Sequence, residues 1–376
     1  MKHLIFLTII FFSTFSCKQE KKSKDLDEKY EYSQMDRIPF SPETYVVYKT
    51  SNLTIDGIAN EKEWQNAPFT HKFVDIEGDK KPKPKYDTQV KILWNDDYLY
   101  IYAELKEPHI WANITERDAV IFHDNDFEVF IDPDGNNHGY YEYEVNAFNT
   151  VWDLLMINPY RDGGPPIINW DINGLQSAVK IYGTINDPSD IDDKWTIEVA
   201  FPMSVLNEFN RGEEASDKVQ WRINFSRVEW QTTVINGKYK KSTNPKTNKP
   251  FPENNWVWSP QGVISMHRPE TWGYIQFSDQ KPGVKKVSFN TIKDEKVRWE
   301  LMNIYYAQRA YVESTGKWAN KIDKLKDVGL DTESLKYFKS LQTTKSLFEA
   351  TAVRKNSRFT WHINNEGRLW KTNKKK

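Results

Sequence analysis

Residues 126–149, "DFEVFIDPDGNNHGYYEYEVNAFN", carry two runs of strictly alternating residues around a turn. Phe127, Val129 and Ile131 alternate with Asp126, Glu128 and Phe130; beyond the turn Tyr141, Tyr143 and Val145 alternate with Glu142, Glu144 and Asn146. Period-two alternation predicts a β-hairpin with one buried face. The opposite face then gathers Asp126, Glu128, Glu142 and Glu144. Such a face suits a catalytic pair, a metal site, a sugar-binding wall or a plain solvated surface.

The same pattern extends outward. "TYVVYK" reads as a strand, "TQVKILWNDDYLYIYAEL" as a hairpin turning at "NDD", and "LQSAVKIYGTI" with "KWTIEVAFP" as a further pair. "VQWRINFSRVEW" and "WGYIQFS" close the series. Short strands separated by turn signals predict a mainly β chain folded as an antiparallel β-sandwich over residues 43–279. Helical pieces are short, at "NEKEWQNA" and "PMSVLNEF". The stretch "NGKYKKSTNPKTNKPFPENN" reads as a long loop. Past residue 285 the period changes: Val297, Leu301, Ile304, Tyr305 and Val312 form a helical stripe. A second helix is expected over "KWANKIDKLKDVG", then a hairpin of "LFEATAV" and "RFTWHINNEGRLWK". Residues 285–376 thus read as a small α+β extension.

The start of the chain has its own chemistry. In "MKHLIFLTIIFFSTFSC" a basic residue precedes an apolar run too short for the ~20 residues of a membrane span. It reads as a signal peptide over residues 1–16. Cys17 is the only cysteine, so no internal disulfide exists. Ser16 before it suggests a lipoprotein signal, with Cys17 as the lipidated residue and Thr14 departing from the usual Leu. Residues 17–42, charged and poor in apolar side chains, are expected to form a disordered tether to a bacterial membrane. The net charge of −1 gives no field that would draw the chain to nucleic acid.

Aromatic content is 14%, with 15 Trp and 19 Tyr. Rings at this frequency anchor cores or build a binding surface. Trp152, Trp170, Trp230, Trp256 and Trp258 lie at strand ends or in loops and are the candidate stacking rings. Trp64, Trp94, Trp195 and Trp221 lie in motifs that read as core. Glu144, Asn146, Asp153, Arg222, Asn224, Arg227 and His267 stand beside these rings as hydrogen-bonding candidates for sugar hydroxyls. The competing reading is that these charges neutralise one another across the sheet. In the turn, Asp132, Asp134 and Asn136 offer oxygens suited to calcium, against a plain Asp-Gly turn. Glu142 and Glu144, ~7 Å apart along a strand, fall within the about 5–9 Å that glycoside hydrolysis requires, as on any acidic strand.

Several stretches resemble carbohydrate-binding module family 9. "LTIDGIANEKEWQNAPF", "VKILWNDDYLYIYAELKEP", "DNDFEVFIDPDG", "YYEYEVNAFNTVWDLL" and "KWTIEVAFP" follow in that family's order. "WRINFSRVEW" and "WVWSPQGVISMHRPETWGYIQFS" resemble family 9-like lipoproteins of Bacteroidetes-type bacteria. The resemblance covers roughly residues 45–279. It implies a jelly-roll-like β-sandwich that binds saccharides, often near calcium, as an accessory to glycoside hydrolases.

The expectation is therefore a lipid-anchored, non-catalytic saccharide-binding protein of the bacterial envelope, supporting carbohydrate capture and catabolism. The alternatives are a glycoside hydrolase using carboxylates of residues 126–153, and a scaffold lipoprotein that has lost sugar binding.

Overall fold

The computed structural model describes residues 42–374. Cys17, the signal sequence and the tether lie outside the described residues.

Most strands join one curled sheet. Along its main path the order is Pro166–Ile167, Val151–Met156, Tyr140–Asn146, Asp126–Asp132, Gln220–Glu229, Gly273–Ser278, Thr44–Lys49, Thr88–Trp94, Tyr98–Lys106, Lys194–Pro202 and Gln176–Tyr182. The sheet folds back on itself, so its two halves face each other as a β-sandwich. Inward residues of both halves meet in one core: Phe127, Val129, Tyr141 and Tyr143 from one side, Val90, Ile92, Ile101, Ile197 and Val199 from the other. The expected antiparallel sandwich is modified at one strand. Thr44–Lys49 runs parallel to both neighbours, which makes the sheet mixed.

The period-two pattern located the strands but not their depth. Both strands of the opening hairpin are buried at every residue. The acidic face is therefore covered rather than solvated. Several strands escaped the pattern, the short Val74–Asp75 and Pro166–Ile167 among them. Asn254–Val257 adds a strand beside Gln220–Glu229, and Thr232–Ile235 forms a hairpin with Lys238–Lys241, which lies inside the expected loop. Phe338–Thr343 adds a fourth strand to the C-terminal sheet.

The outer face of the second sheet half is closed by the segment bearing "LTIDGIANEKEW". Glu198 accepts hydrogen bonds from the backbone N–H of Asp56 (3.0 Å), Gly57 (2.9 Å) and Ile58 (3.2 Å), and from Trp64 Nε1 (2.7 Å). Gly57 sits at φ +82°, and a Cβ there would meet the Lys180 nitrogen at 2.9 Å. That motif is structural: it plugs a sheet face.

The C-terminal region has its own core under the helix Glu295–Thr315, with Val297, Leu301, Ile304, Phe348 and Ile363 buried together. The second helix expected near residue 320 is a 3-10 stretch, Ile322–Val328. Polar contacts bolt this region to the sandwich. Arg222 donates to Glu295 (2.7 Å), Arg309 to Asp162 (3.0 Å), and Arg298 to the Gly135 carbonyl. No helix of the described residues is long and apolar enough to cross a membrane.

Candidate functional site

On the outer face of the first sheet half, two cross-strand rows lie side by side. Glu128 stands opposite Glu144, which stands opposite Trp152; Phe130 stands opposite Glu142. The loop after the short Asn254–Val257 strand arches over them and brings Met266 and His267. Phe122 and Tyr160 arrive from two further loops. Together they enclose a cavity of about 280 Å³. That lies just below the about 300–1,000 Å³ usual for drug-sized ligands, so it suits one ring.

The walls are aromatic or soft: Phe122, Trp152, Tyr160 and Met266. Tyr160 is 46% exposed at the rim. The Nε1–H of Trp152 is buried without a protein partner, as is Oε2 of Glu142. The floor is acidic. Burial pushes Glu128 up to about 7, and burial plus neighbouring carboxylates hold Asp126, Glu142 and Glu144 well above the carboxylate range. His267 packs edge-on against Tyr160, with ring centroids 4.4 Å apart, and pairs through Nδ1 with the Tyr140 hydroxyl at 2.9 Å. Burial, and secondarily Arg161, keep its ring neutral, pulling its pKa down to about 3. The site thus offers acceptors, an imidazole and ring faces at one point, the combination that orients a polyhydroxylated ring.

Of the residues singled out from the sequence, Trp152, Glu144 and His267 meet in this cavity. The others go elsewhere, for identifiable reasons. Asp153 follows Trp152 on a strand and so points to the opposite face, where it pairs with Arg117. Asn146 is fully buried and holds the loop before the hairpin through Ile114 O (2.8 Å) and Asp124 (3.0 Å). Asn224 is spent on Ser259, accepting from its N–H at 2.9 Å and donating to its carbonyl at 2.9 Å. Arg222 lies beneath the C-terminal helix, over the Tyr274 ring. Trp258 is core, with 2% exposure; Gly273 leaves the space its ring fills. Trp170 packs on Tyr141 at the core's edge.

Trp230 and Trp256 line a second cavity of about 200 Å³ with Glu107, Glu229, His109 and Trp111. Arg227 is buried beside it, bonded to Glu107 (2.6 Å) and Glu229 (2.8 Å). Its rings are already engaged. Lys241 Nζ lies 3.2 Å from the Trp230 centroid, and Trp256 is packed against Arg227 and Tyr86.

The turn "DPDGNNHG" serves docking. Asp134 and Asn136 oxygens accept from the N–H groups of Asn136 (3.0 Å), Arg211 (3.0 Å) and His138 (2.7 Å), and Asp132 accepts from Asn137 N–H at 2.9 Å. The Asn136 carbonyl accepts from Leu369 N–H at 3.0 Å, and Asn137 donates to the Gly367 carbonyl at 3.0 Å. Each of the calcium candidates Asp132, Asp134 and Asn136 thus has an oxygen taken by a backbone donor, while Asp132 Oδ1 is buried without a hydrogen-bond partner, and the turn holds the C-terminal hairpin.

The acidic face read from the sequence supplies Glu128 and Glu142 beside Glu144, whereas Phe122, Phe130, Tyr160, Asn255 and Met266 were not singled out as sugar contacts. Alternation places Glu128 and Glu142 on the face of Glu144; the loop residues carry no periodic signal.

Residues 55–220 match the family model described as "Carbohydrate family 9 binding domain-like". Residues 55–220 are thus similar to that family's domain. The chain is 32% identical over 124 residues to "Endo-1,4-beta-xylanase C" of Paenibacillus barcinonensis; the match covers 32% of this chain and 10% of the xylanase. Two solved family 9 modules from Caldicellulosiruptor kristjanssonii are also similar. The module in complex with glucose aligns at 14% identity and TM-score 0.42, over 65% of this chain and 100% of its own. The module in complex with cellotriose aligns at 14% and 0.41, over 66% and 100%.

Proposed function

We propose that the chain is a non-catalytic saccharide-binding protein that takes one sugar ring into the cavity between Trp152, Phe122, Tyr160 and Met266. The observation that carries this reading is a ring-sized, aromatic-walled cavity with convergent acceptors, set in a family 9-like domain. Trp152 stacks on the C–H face of the ring, and Glu128, Glu142, Glu144 and His267 meet its hydroxyls. The carboxyl groups rise from a single sheet face, so they approach a ligand from one side. Hydrolysis places an acid and a base on either side of the scissile bond. The kinship with part of a xylanase supports an accessory role beside glycoside hydrolases, and the Ser16-Cys17 sequence supports a lipid anchor in the bacterial envelope.

The test is titration of the purified chain with glucose, cellotriose and a panel of other saccharides, followed by calorimetry and Trp fluorescence. Saturable binding with a shifted Trp152 signal is expected. Silence across the panel favours the scaffold reading, and release of reducing ends favours the hydrolase.

A further inference from the structure

The strands Thr232–Ile235 and Lys238–Lys241 stand apart from the large sheet as a two-stranded sheet of their own. Asn236 and Gly237 close it at φ +53° and +72°, the left-handed pair that a two-residue hairpin turn requires. Tyr239 pins it to the sandwich. Its side chain is buried, and its hydroxyl meets His109 Nδ1 at 3.1 Å and donates to the Asp187 carbonyl at 3.3 Å. The end beyond that pin is bare. Val234 and Ile235, just before the turn, are 51% and 52% exposed. They are successive strand residues and so point to opposite faces. A flat partner covers only one of them; a surrounding apolar medium covers both.

The charge around this tip has one sign. Residues 231–252 hold Lys238, Lys240, Lys241, Lys246 and Lys249, with no Asp, Glu or Arg. Lys241 is spent on the Trp230 ring. The other four are exposed, and among the described residues none of them has a carboxylate within 4.0 Å. Cross-strand pairing sets Lys240 opposite Thr233 and Lys238 opposite Ile235, on the face turned away from Tyr239 and the Asp187 loop. Lys246 and Lys249 lie in the adjoining loop, which the Thr243–Pro250 bridge closes. Ammonium groups act as point charges, suited to a diffuse anionic surface; a single defined carboxylate or phosphate is better met by the Arg fork. We propose that this hairpin docks on a bilayer rich in anionic headgroups, with Val234 and Ile235 entering the headgroup–acyl boundary and the lysines meeting the phosphates. Neither the saccharide cavity nor Cys17 takes part. A contact of this size is reversible and salt-sensitive, so it orients the chain on a membrane and does not replace a lipid anchor.

The experiment reads the hairpin alone, so membrane contact elsewhere in the chain does not count. The full chain carries Cys17→Ser, which removes its only cysteine, and Thr233→Cys, which places an environment-sensitive fluorophore on the exposed face of the hairpin. Vesicles of phosphatidylglycerol and phosphatidylethanolamine should shift the emission to the blue, and added salt should reverse the shift. Vesicles of phosphatidylcholine alone should leave it unchanged. The same label at Leu347→Cys, exposed on the C-terminal sheet, should stay silent on both. Lys238→Glu with Lys240→Glu should abolish the response, and Val234→Ser with Ile235→Ser should weaken it several-fold. All four positions are exposed, and circular dichroism checks that the variants fold. No shift on the anionic vesicles, or an equal shift on phosphatidylcholine or at Leu347→Cys, overturns the proposal. A response kept in full by the serine variant makes the lysines a general polyanion contact and overturns the bilayer assignment.

Discussion

Arg161 and Glu270 face each other as a two-pronged ion pair, Nη1 to Oε1 at 3.0 Å and Nη2 to Oε2 at 2.8 Å, with both side chains shut off from solvent. Burial works against the Glu270 charge, but Arg161 and then Arg268 outweigh it and hold the carboxyl below its ordinary range. The pair sits where the sandwich meets the C-terminal helix, and Tyr306 of that helix donates to the same carboxylate.

Removing Glu270 takes from Arg161 its two-pronged partner and leaves the Asp162 carboxylate at 3.3 Å beside it. Glu270→Ala should cost about 3–5 kcal/mol, because the Arg161 charge remains buried. Arg161→Met combined with Glu270→Leu should recover much of that loss. Urea unfolding of the three proteins checks both; a single variant as stable as the parent removes the pair from the account of this seam.

The tryptophans divide by position. Trp152→Ala should weaken saccharide binding by about 1–3 kcal/mol, roughly 5- to 150-fold, with little change in Tm. Trp258→Ala should cost about 3–5 kcal/mol of stability, as a large core truncation does. Trp230→Ala should leave binding near parental, since Lys241 already covers its ring. Binding lost in Trp230→Ala but kept in Trp152→Ala would move the site to the smaller cavity.

Acid acts on His138, whose ring is held down to about 4, chiefly by burial. An unfolded chain takes up this proton near pH 6.5, the folded chain only near 4. The group's contribution is therefore whole above about pH 6.5 and is lost as pH falls toward about 4. The raised carboxylates of the cavity act in the opposite sense, so the difference from the parent is the informative quantity. His138→Gln should gain stability relative to the parent as the pH is lowered through that window. Parallel stability curves for the two proteins would contradict this.

Cys17→Ser should shift the protein from the membrane to the soluble fraction after cell breakage. Continued membrane retention would show that the cysteine is not the anchor.

Legibility followed periodicity. The strands of the sandwich announce themselves because each has one face in the core, as Trp221, Ile223 and Phe225 do. The same rule yields the row of Glu128, Glu142 and Glu144. It is silent on what covers that row, because Phe122, Tyr160 and Met266 come from loops placed by contacts distant in sequence. Polar types misled for a related reason. Asn146 and Asn224 look like ligand contacts, yet buried backbone groups need partners, and both amides satisfy them. Arg222 points from the correct face, but its place is claimed by Glu295, more than seventy residues away.

The docking of the "NNEG" turn onto "DPDGNNHG" sets an order on biosynthesis. The sandwich strands emerge from the ribosome before the helix and hairpin that cover Arg222, Tyr274 and Asn137. A nascent chain halted before Glu295 presents those groups to water, with Arg222 lacking its carboxylate partner. Completion of the later segments is what seals that face. Truncated products thus expose Arg222, Tyr274 and Asn137, which full-length chains cover as the last segments seat.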